Sequence, residues 1–257
     1  MEVYVDDMIV KSKKEEDHVE DLRETFEILR KHQLRLNPAK CSFGVCEGKF
    51  LGYIVNAEGI KANPAKTLAI LSMPEPTSQK QVMKLTGCLA ALGRFISKSA
   101  EKALPFFHLL SKNKEFVWTK ECSEAFAQLK AHLAELPTLT QPIPGEPLSV
   151  YLAASSTAVS AVMVAQRGGE QVPIYFLSHV LKDAEVRYPV VKKVGFALLI
   201  ASRKLRPYFQ AHEIVVLTSF PLNKLLKKYD CAGRMLSWAV ELSQFDISFR
   251  PRTAIKA

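Results

Sequence analysis

Residues 148–178 read LSVYLAASSTAVSAVMVAQRGGEQVPIYFLS and contain three apolar runs with the alternation typical of β-strands. The runs cover 148–153, 158–165 and 172–178, and Gly168-Gly169 supplies the residues of a tight turn between the second and the third. Short loops of this kind join antiparallel neighbours. The stretch therefore predicts three consecutive antiparallel strands.

The chain after this stretch extends the same predicted sheet. A helix is predicted over 189–205, a strand over 213–218, helices over 221–228 and 233–242, and a fifth strand over 245–250. Three consecutive strands followed by alternating helices and strands indicate a five-stranded mixed sheet with helices packed on it. The fold class is therefore α/β, or α+β.

The chain before this stretch is helical in pattern. Asn63-Pro64 is a typical helix start, Ser78 with Gln81 begins a second helix, and Thr119 caps a later one. Residues 136–147 hold four prolines and one glycine, which favours a linker. The predicted segments are 1–62, a helical unit at 63–112, a connecting helix and linker at 113–147, and the sheet domain at 148–257.

The N-terminal segment predicts a β-hairpin with two acids at its turn. The sequence EVYVDDMIVKS at 2–12 alternates around Asp6-Asp7, and Asp17 with Glu20 predicts a capping box on the next helix. Extended pieces are predicted at 41–45 and 49–55. Adjacent carboxylates held by a hairpin can bind Mg²⁺ for phosphoryl transfer, although Asp pairs also occur in turns for purely conformational reasons.

Composition favours a polyanionic partner over a membrane. The net charge is +9 with an isoelectric point near 9.3, which suits nucleic acid but also occurs in proteins that are basic only for solubility. No apolar run is long enough for a membrane span and Met1 opens no signal peptide, so we expect an intracellular protein that is not secreted. Five scattered cysteines are expected to be reduced thiols.

Several motifs in the same order resemble the reverse transcriptase and RNase H regions of gypsy-class LTR retrotransposon polyproteins, most closely the plant lineages. They are YVDD at 4–7, LNPAKCSFG at 36–44, FLGYIV at 50–55, YLAASSTAVSAVMV at 151–164 and KLRPYFQAHEIVVLT at 204–218. The resemblance covers essentially the whole chain. It implies a C-terminal palm remnant at 1–62, a helical thumb at 63–112 and an RNase H-like domain at 148–257.

The resemblance also assigns roles to particular residues. Asp6 and Asp7 match two metal-binding carboxylates of the polymerase palm, with Mg²⁺ as the implied cofactor. Phe50, Gly52 and Tyr53 match the hairpin that steadies the primer end, although a half-buried strand explains the two aromatic residues equally well. The motif lies so close to Met1 that the third palm acid, the fingers and the nucleotide pocket are expected to be missing.

The RNase H-like domain departs from the family at the expected acids. The first acid position is Ala153, the helix acid falls on Lys192, and the acid after the fourth strand is Ser219, while the last would follow Ala257. Cleavage by two metal ions needs these carboxylates. We therefore expect the three residues to cluster in space and the domain to keep its fold without cleaving RNA.

The implied partners are an RNA–DNA hybrid or a template–primer duplex, together with the rest of the polyprotein. The residues expected to contact phosphates are Lys80, Lys84, Arg203, Lys204 and Arg206, each of which could equally be an ordinary solvated cation. Three functions follow as alternatives: a piece of a polymerase that is inactive alone, a non-catalytic module that binds or tethers nucleic acid, or a pseudogene product.

Overall fold

The computed structural model describes residues 1–12, 14–110, 115–227 and 234–252, with only the backbone of Lys227. The chain divides into two compact units, Met1–Asn63 and Pro64–Ala257. None of the helices in these ranges is both long and apolar enough to cross a bilayer. Four of the five cysteines are free, and the fifth, Cys231, lies outside the described residues.

The first unit contains the predicted acidic hairpin. Strands β1 (Glu2–Tyr4) and β2 (Asp7–Ile9) are antiparallel, and helix α1 (His18–Lys31) follows. Strands β3 (Glu47–Phe50), β4 (Tyr53–Asn56) and β5 (Gly59–Lys61) form a separate antiparallel sheet in the order β3-β4-β5. The hairpin expected at 2–12 is therefore confirmed.

Three local predictions for this unit are wrong. The Asp17 side chain makes no cap hydrogen bond, because its backbone is already helical (φ −78°, ψ −13°) whereas a capping residue is normally extended. Residues 49–55 are not one strand but turn back at Leu51 and Gly52, whose φ values of 50° and 77° are those of a two-residue hairpin turn. Residues 41–45 form no strand.

The second unit begins with four helices, and two of them start at the capping residues that the sequence predicts. They are α2 (Pro64–Leu71), α3 (Gln79–Leu92), α4 (Ser99–His108) and α5 (Lys120–Ala134). The Ser78 hydroxyl accepts a hydrogen bond from the Gln81 amide, and the Thr119 hydroxyl accepts one from the Cys122 amide. These bonds satisfy amides that a helix cannot pair internally, which fixes where α3 and α5 begin.

The five predicted strands form one mixed sheet. They are β6 (Leu148–Ala154), β7 (Ala158–Arg167), β8 (Glu170–Val180), β9 (Ile214–Leu217) and β10 (Ile247–Arg250), in the order β10-β9-β6-β7-β8. Strands β6, β7 and β8 are antiparallel, whereas β9 runs parallel to both β6 and β10. The expected fold class is confirmed. Helices α6 (Val190–Lys204), α7 (Arg206–Ala211), α8 (Leu222–Lys227) and α9 (Arg234–Leu242) complete the unit.

The two faces of the sheet differ in what covers them. Leu148, Val150 and Leu152 are buried in a core with helix α6, and strand alternation sends Tyr151 and Ala153 to the opposite face. Helix α4 packs against β7 and β8. The Ala100 amide donates to the Ser178 hydroxyl, and the Phe176 amide of β8 donates to the Arg94 carbonyl.

These contacts place the helices and the sheet in the same compact unit. The predicted linker is anchored rather than free, because the Thr140 amide donates to the Pro173 carbonyl and the Arg167 guanidinium binds Glu146, Thr140 and Gln141. The predicted limit at 62/63 lies beside the division between units, and the limit at 112/113 lies outside the described residues. The limits of the thumb and connection remain predictions.

Candidate metal and nucleic-acid sites

The Asp6-Asp7 pair lies at the tip of the first hairpin. Tyr4 pairs with Asp7, so Val5 and Asp6 form the turn, and both carboxylate side chains are exposed. Val5 has a φ of 53°, a conformation that β-branched residues rarely adopt. Strained backbone of this kind is concentrated at functional sites. The hairpin thus presents two adjacent carboxylates on a constrained turn.

Two carboxylates do not make a complete metal site. Across the part of the chain that the structure describes, no group of three or more His, Cys, Asp or Glu side chains is arranged to hold a metal ion. Two-metal phosphoryl transfer needs ligands for both ions. Asp6 and Asp7 therefore fit part of a ligand set, and no catalytic step can be derived from them alone.

The second hairpin brings Phe50 and Tyr53 together. The two residues are a directly opposed pair at the ends of β3 and β4, and Gly52 in the turn has a φ of 77° that suits glycine. Phe50 and Tyr53 are both half-buried, and Leu51 is 41% exposed at the tip. The motif reading of the sequence did not single out Leu51, because only the turn geometry brings it to the surface.

Ala153 lies in a small cleft on the face opposite α6. It pairs with Ser160, which pairs in turn with Ser178, and the cleft of about 70 Å³ is also lined by Lys98 and Glu101. Serine hydroxyls and one carboxylate thus surround the position that the resemblance assigns to the first acid. Neither Lys192 nor Ser219 lines this cleft.

Lys192 faces a pair of aromatic rings rather than the cleft. Its ammonium lies 4.2 Å from the centroid of the Tyr188 ring and 5.7 Å from that of Trp238. Such cation–π contacts stabilise a lysine where it is. The clustering of Lys192 with Ala153 and Ser219 therefore remains a prediction, while the Lys192 ammonium is engaged by these two rings.

Its neighbour Lys193 is the lysine that reaches the end of β6. The side chain is only 6% exposed, and its ammonium donates to the Ser156 carbonyl at 2.9 Å and the Ser155 carbonyl at 3.2 Å. The sequence analysis missed Lys193. Helical spacing could have predicted its burial. Lys193 lies four residues before Ala197 and eight before Ala201, so it shares a helix face with these two fully buried residues.

Ser219 is exposed in the turn after β9. The Thr218 hydroxyl accepts a hydrogen bond from the Phe220 amide at 3.1 Å, which closes the turn around Ser219. The parallel pairing of β6 with β9 ends at Tyr151 and Leu217. Ala153 and Ser219 each lie two residues beyond that pair, so the two strands deliver both positions to the same edge of the sheet.

The candidate phosphate-binding residues fall into two groups. Lys80 and Lys84 are exposed one turn apart on α3. Arg203 forms a two-pronged ion pair with Glu241 at 2.6 and 2.7 Å, and Arg206 donates to Gln244 at 3.2 Å, while Lys204 is exposed. The hydrogen bond from Arg203 lowers the pKa of Glu241 below its usual range. Arg203 and Arg206 are thus already engaged within the protein.

Comparison with known proteins agrees with this architecture. Residues 1–55 match the family described as reverse transcriptase (RNA-dependent DNA polymerase). Residues 118–216 match the family described as RNase H-like domain found in reverse transcriptase. The second match includes strands β6, β7 and β8, helix α6 and most of β9.

Similar proteins cover nearly the whole chain. The chain is 32% identical to the retrovirus-related Pol polyprotein from transposon 297 of Drosophila melanogaster over 95% of its own length and 23% of that protein. It is 30% identical to the corresponding polyprotein from transposon opus of the same fly, over 95% of this chain and 26% of that one. The chain thus spans about a quarter of the length of these relatives.

One solved structure shows the fold. The foamy viral protease–reverse transcriptase in complex with RNA/DNA hybrid matches 96% of this chain and 34% of that one, with a TM-score of 0.81 and 21% identity. The fold, the family matches and the transposon relatives lead to one conclusion. The chain is a segment of a retrotransposon-type Pol polyprotein that contains part of a reverse transcriptase domain and an RNase H-like domain.

Proposed function

We propose that this segment binds nucleic acid within a reverse transcriptase polyprotein and that its RNase H-like domain does not cleave RNA. The proposal rests on one observation above all: the sheet edge where cleavage carboxylates are expected carries Ala153, Ser219 and the buried ammonium of Lys193. The segment as a whole would then hold an RNA–DNA hybrid or a template–primer duplex without cleaving it.

Electrostatics argues against a catalytic metal at this edge. A unit cation ~4 Å from a divalent ion is repelled by about 8 kcal/mol at an effective dielectric constant near 20. Lys193 is held there by the carbonyls of Ser155 and Ser156, so its charge cannot easily move away. Alanine and serine at 153 and 219 offer no compensating negative charge.

Charge and similarity support nucleic acid as the ligand. The chain carries a net charge of +9, and Lys80 and Lys84 project from one face of α3. The foamy viral neighbour was solved with an RNA/DNA hybrid bound. Phosphate contacts by these lysines would grip a duplex without reading its sequence.

Asp6 and Asp7 have a second proposed role. We infer that they supply two carboxylates to a polymerase metal site, with Mg²⁺ as the ion, which other parts of the polyprotein complete. The hairpin of Phe50, Gly52 and Tyr53 would support the primer. Primer extension by a full-length polyprotein should disappear with Asp7→Asn, and unchanged extension would exclude this role.

The lineage is also a proposal. The order of the YVDD, FLGYIV and KLRPYFQAHEIVVLT motifs favours the gypsy class and its plant lineage, and the free cysteines suit a reducing, intracellular compartment. A phylogenetic tree of retrotransposon polyproteins that placed this chain outside the gypsy class would contradict the assignment.

The binding proposal is tested by measuring affinity for an RNA–DNA hybrid as a function of salt. We expect log K to fall linearly with log salt, with a slope of about −0.9 for each phosphate contact. The double variant Lys80→Ala/Lys84→Ala should make the slope shallower by about two such contacts. The matched variant Lys120→Ala/Lys224→Ala removes the same charge from exposed sites and should leave the slope nearly unchanged.

A slope that does not depend on Lys80 and Lys84 would remove α3 from the binding surface. An affinity that does not respond to salt at all would contradict nucleic-acid binding through phosphates.

A further inference from the structure

A row of paired residues crosses the face of the sheet that α6 leaves uncovered. Arg250 pairs with Leu217, Leu217 with Tyr151, Tyr151 with Val162, and Val162 with Phe176. Directly opposed residues in neighbouring strands point to the same face. The row therefore has the Tyr151 ring in its middle, Phe176 at one end and an arginine at the other.

This face is accessible along the row, in contrast to the face that packs on α6. Tyr151 and Leu217 are half-buried and Arg250 is exposed, whereas Val150 and Val216, one residue away on the same strands, are 1% and 0% exposed. Helix α4 packs on β7 and β8, at the other side of the sheet from Arg250. The row thus runs from β8, which α4 covers, to the exposed end of the row on β10.

The Tyr151 ring is held in place and already has a cation beside it. Its hydroxyl is hydrogen-bonded to the Gln171 amide at 2.7–3.1 Å, which restrains the ring. The guanidinium of Arg252 lies 5.8 Å from the ring centroid. An aromatic ring with a guanidinium beside it is a common platform for an unpaired nucleotide, because the base can stack on the ring while the guanidinium pairs with a phosphate.

We propose that this open face binds single-stranded nucleic acid, with one base stacked on Tyr151 and phosphates paired with Arg250 and Arg252. The two arginines supply positive charge where the strand would leave the ring. A duplex does not fit this platform, because its bases are already stacked on each other and cannot present a free face. Of the two aromatic rings in the row, Phe176 lies on β8, where α4 packs, and Tyr151 lies nearer the open side, which suits one or two unpaired nucleotides.

This site is distinct from the duplex grip proposed above. The duplex proposal depends on exposed lysines of α3, whereas this one depends on an aromatic ring of β6 and on arginines at and beyond the end of β10. Either can therefore fail without the other.

The test is fluorescence anisotropy with a short labelled oligothymidine and with a duplex of the same length. Tyr151→Ala should weaken oligothymidine binding by about tenfold or more, the usual loss for one base–aromatic stack, and should leave duplex binding nearly unchanged. Tyr151→Phe keeps the ring and should bind almost as the natural chain does. Arg252→Ala should weaken binding more than Arg187→Ala, which removes the same charge from another exposed site.

Three results would overturn the proposal. They are unchanged oligothymidine affinity in a folded Tyr151→Ala chain, an equal loss of duplex affinity, and equal effects of Arg252→Ala and Arg187→Ala. If Tyr151→Ala does not fold, photocrosslinking of the natural chain to an oligonucleotide containing 4-thiothymidine decides. A crosslink to β6 or to Arg252 supports the site, and crosslinks confined to other elements contradict it.

Discussion

Lys192 and Lys193 show how a shift of one residue along a helix changes the chemistry of a site. Motif order alone assigned the expected helix acid to position 192. The Lys192 ammonium lies over the rings of Tyr188 and Trp238. Lys193 instead reaches the carbonyls of Ser155 and Ser156. A motif assigns a residue to a position along the chain. The face of the helix on which that side chain lies depends instead on which neighbouring residues are buried.

The two lysines should therefore differ in their contribution to stability. Lys193→Met removes the hydrogen bonds from the buried Lys193 ammonium to the Ser155 and Ser156 carbonyls and should lower the free energy of unfolding by about 1.5–3 kcal/mol, the usual contribution of a hydrogen bond to a charged group. Lys192→Met loses only a cation–π contact and should cost about 0.5–1 kcal/mol. Chemical denaturation of both variants provides the comparison. A loss at Lys192 as large as that at Lys193 would contradict the placement of these side chains.

Secondary structure elements were predictable where a local rule determines them. Ser78 and Thr119 mark the starts of α3 and α5 because their side chains accept hydrogen bonds from helix amides nearby in the sequence. Gly168-Gly169 marks the turn between β7 and β8 because both glycines adopt the positive φ that the turn requires. The turn at Leu51-Gly52 was missed because leucine is rare at positive φ. The anchoring of 136–147 was missed because its partners lie far along the chain.

The anchor of that segment is the Arg167–Glu146 pair. Arg167 binds the Glu146 carboxylate at 2.6 Å and also donates to the Thr140 hydroxyl and the Gln141 carbonyl, and both charged side chains are half-buried. Arg167→Met should lower the free energy of unfolding by about 1–3 kcal/mol. Arg203→Met removes a more exposed pair with Glu241 and should cost about 0–1 kcal/mol, so it serves as the matched control.

The same pair should also make stability depend on pH. The hydrogen bond from Arg167 holds the pKa of Glu146 below its usual range. A carboxyl whose pKa is lowered by folding stabilises the protein above its unfolded pKa, and this contribution is lost as pH falls through the folded value. The acid side of the stability curve should therefore be less steep in Arg167→Met. Equal steepness in both chains would show that this ion pair does not form in solution.

The whole chain combines a reverse transcriptase segment with an RNase H-like domain that has a five-stranded mixed sheet, and we propose that the residues at its site have changed. The fold was predictable because alternation, turns and helical stripes are distributed over many residues. The site was only partly predictable. The resemblance predicts that Ala153 and Ser219 replace acids, but the sequence could not show that Ala153 borders serines and Lys98, or that the Lys193 ammonium is buried against the loop after β6.

A cleavage assay on a bound RNA–DNA hybrid decides whether the chain only binds the hybrid or also cleaves its RNA strand. The purified chain is incubated with an RNA–DNA hybrid labelled on the RNA strand, with Mg²⁺ or Mn²⁺, and bound hybrid and RNA fragments are measured in the same samples. A contaminating nuclease is recognised because its activity does not co-elute with the chain in gel filtration. We expect salt-sensitive binding with the RNA intact in either metal. RNA fragments that co-elute with the chain and disappear on chelation of the metal would contradict the account.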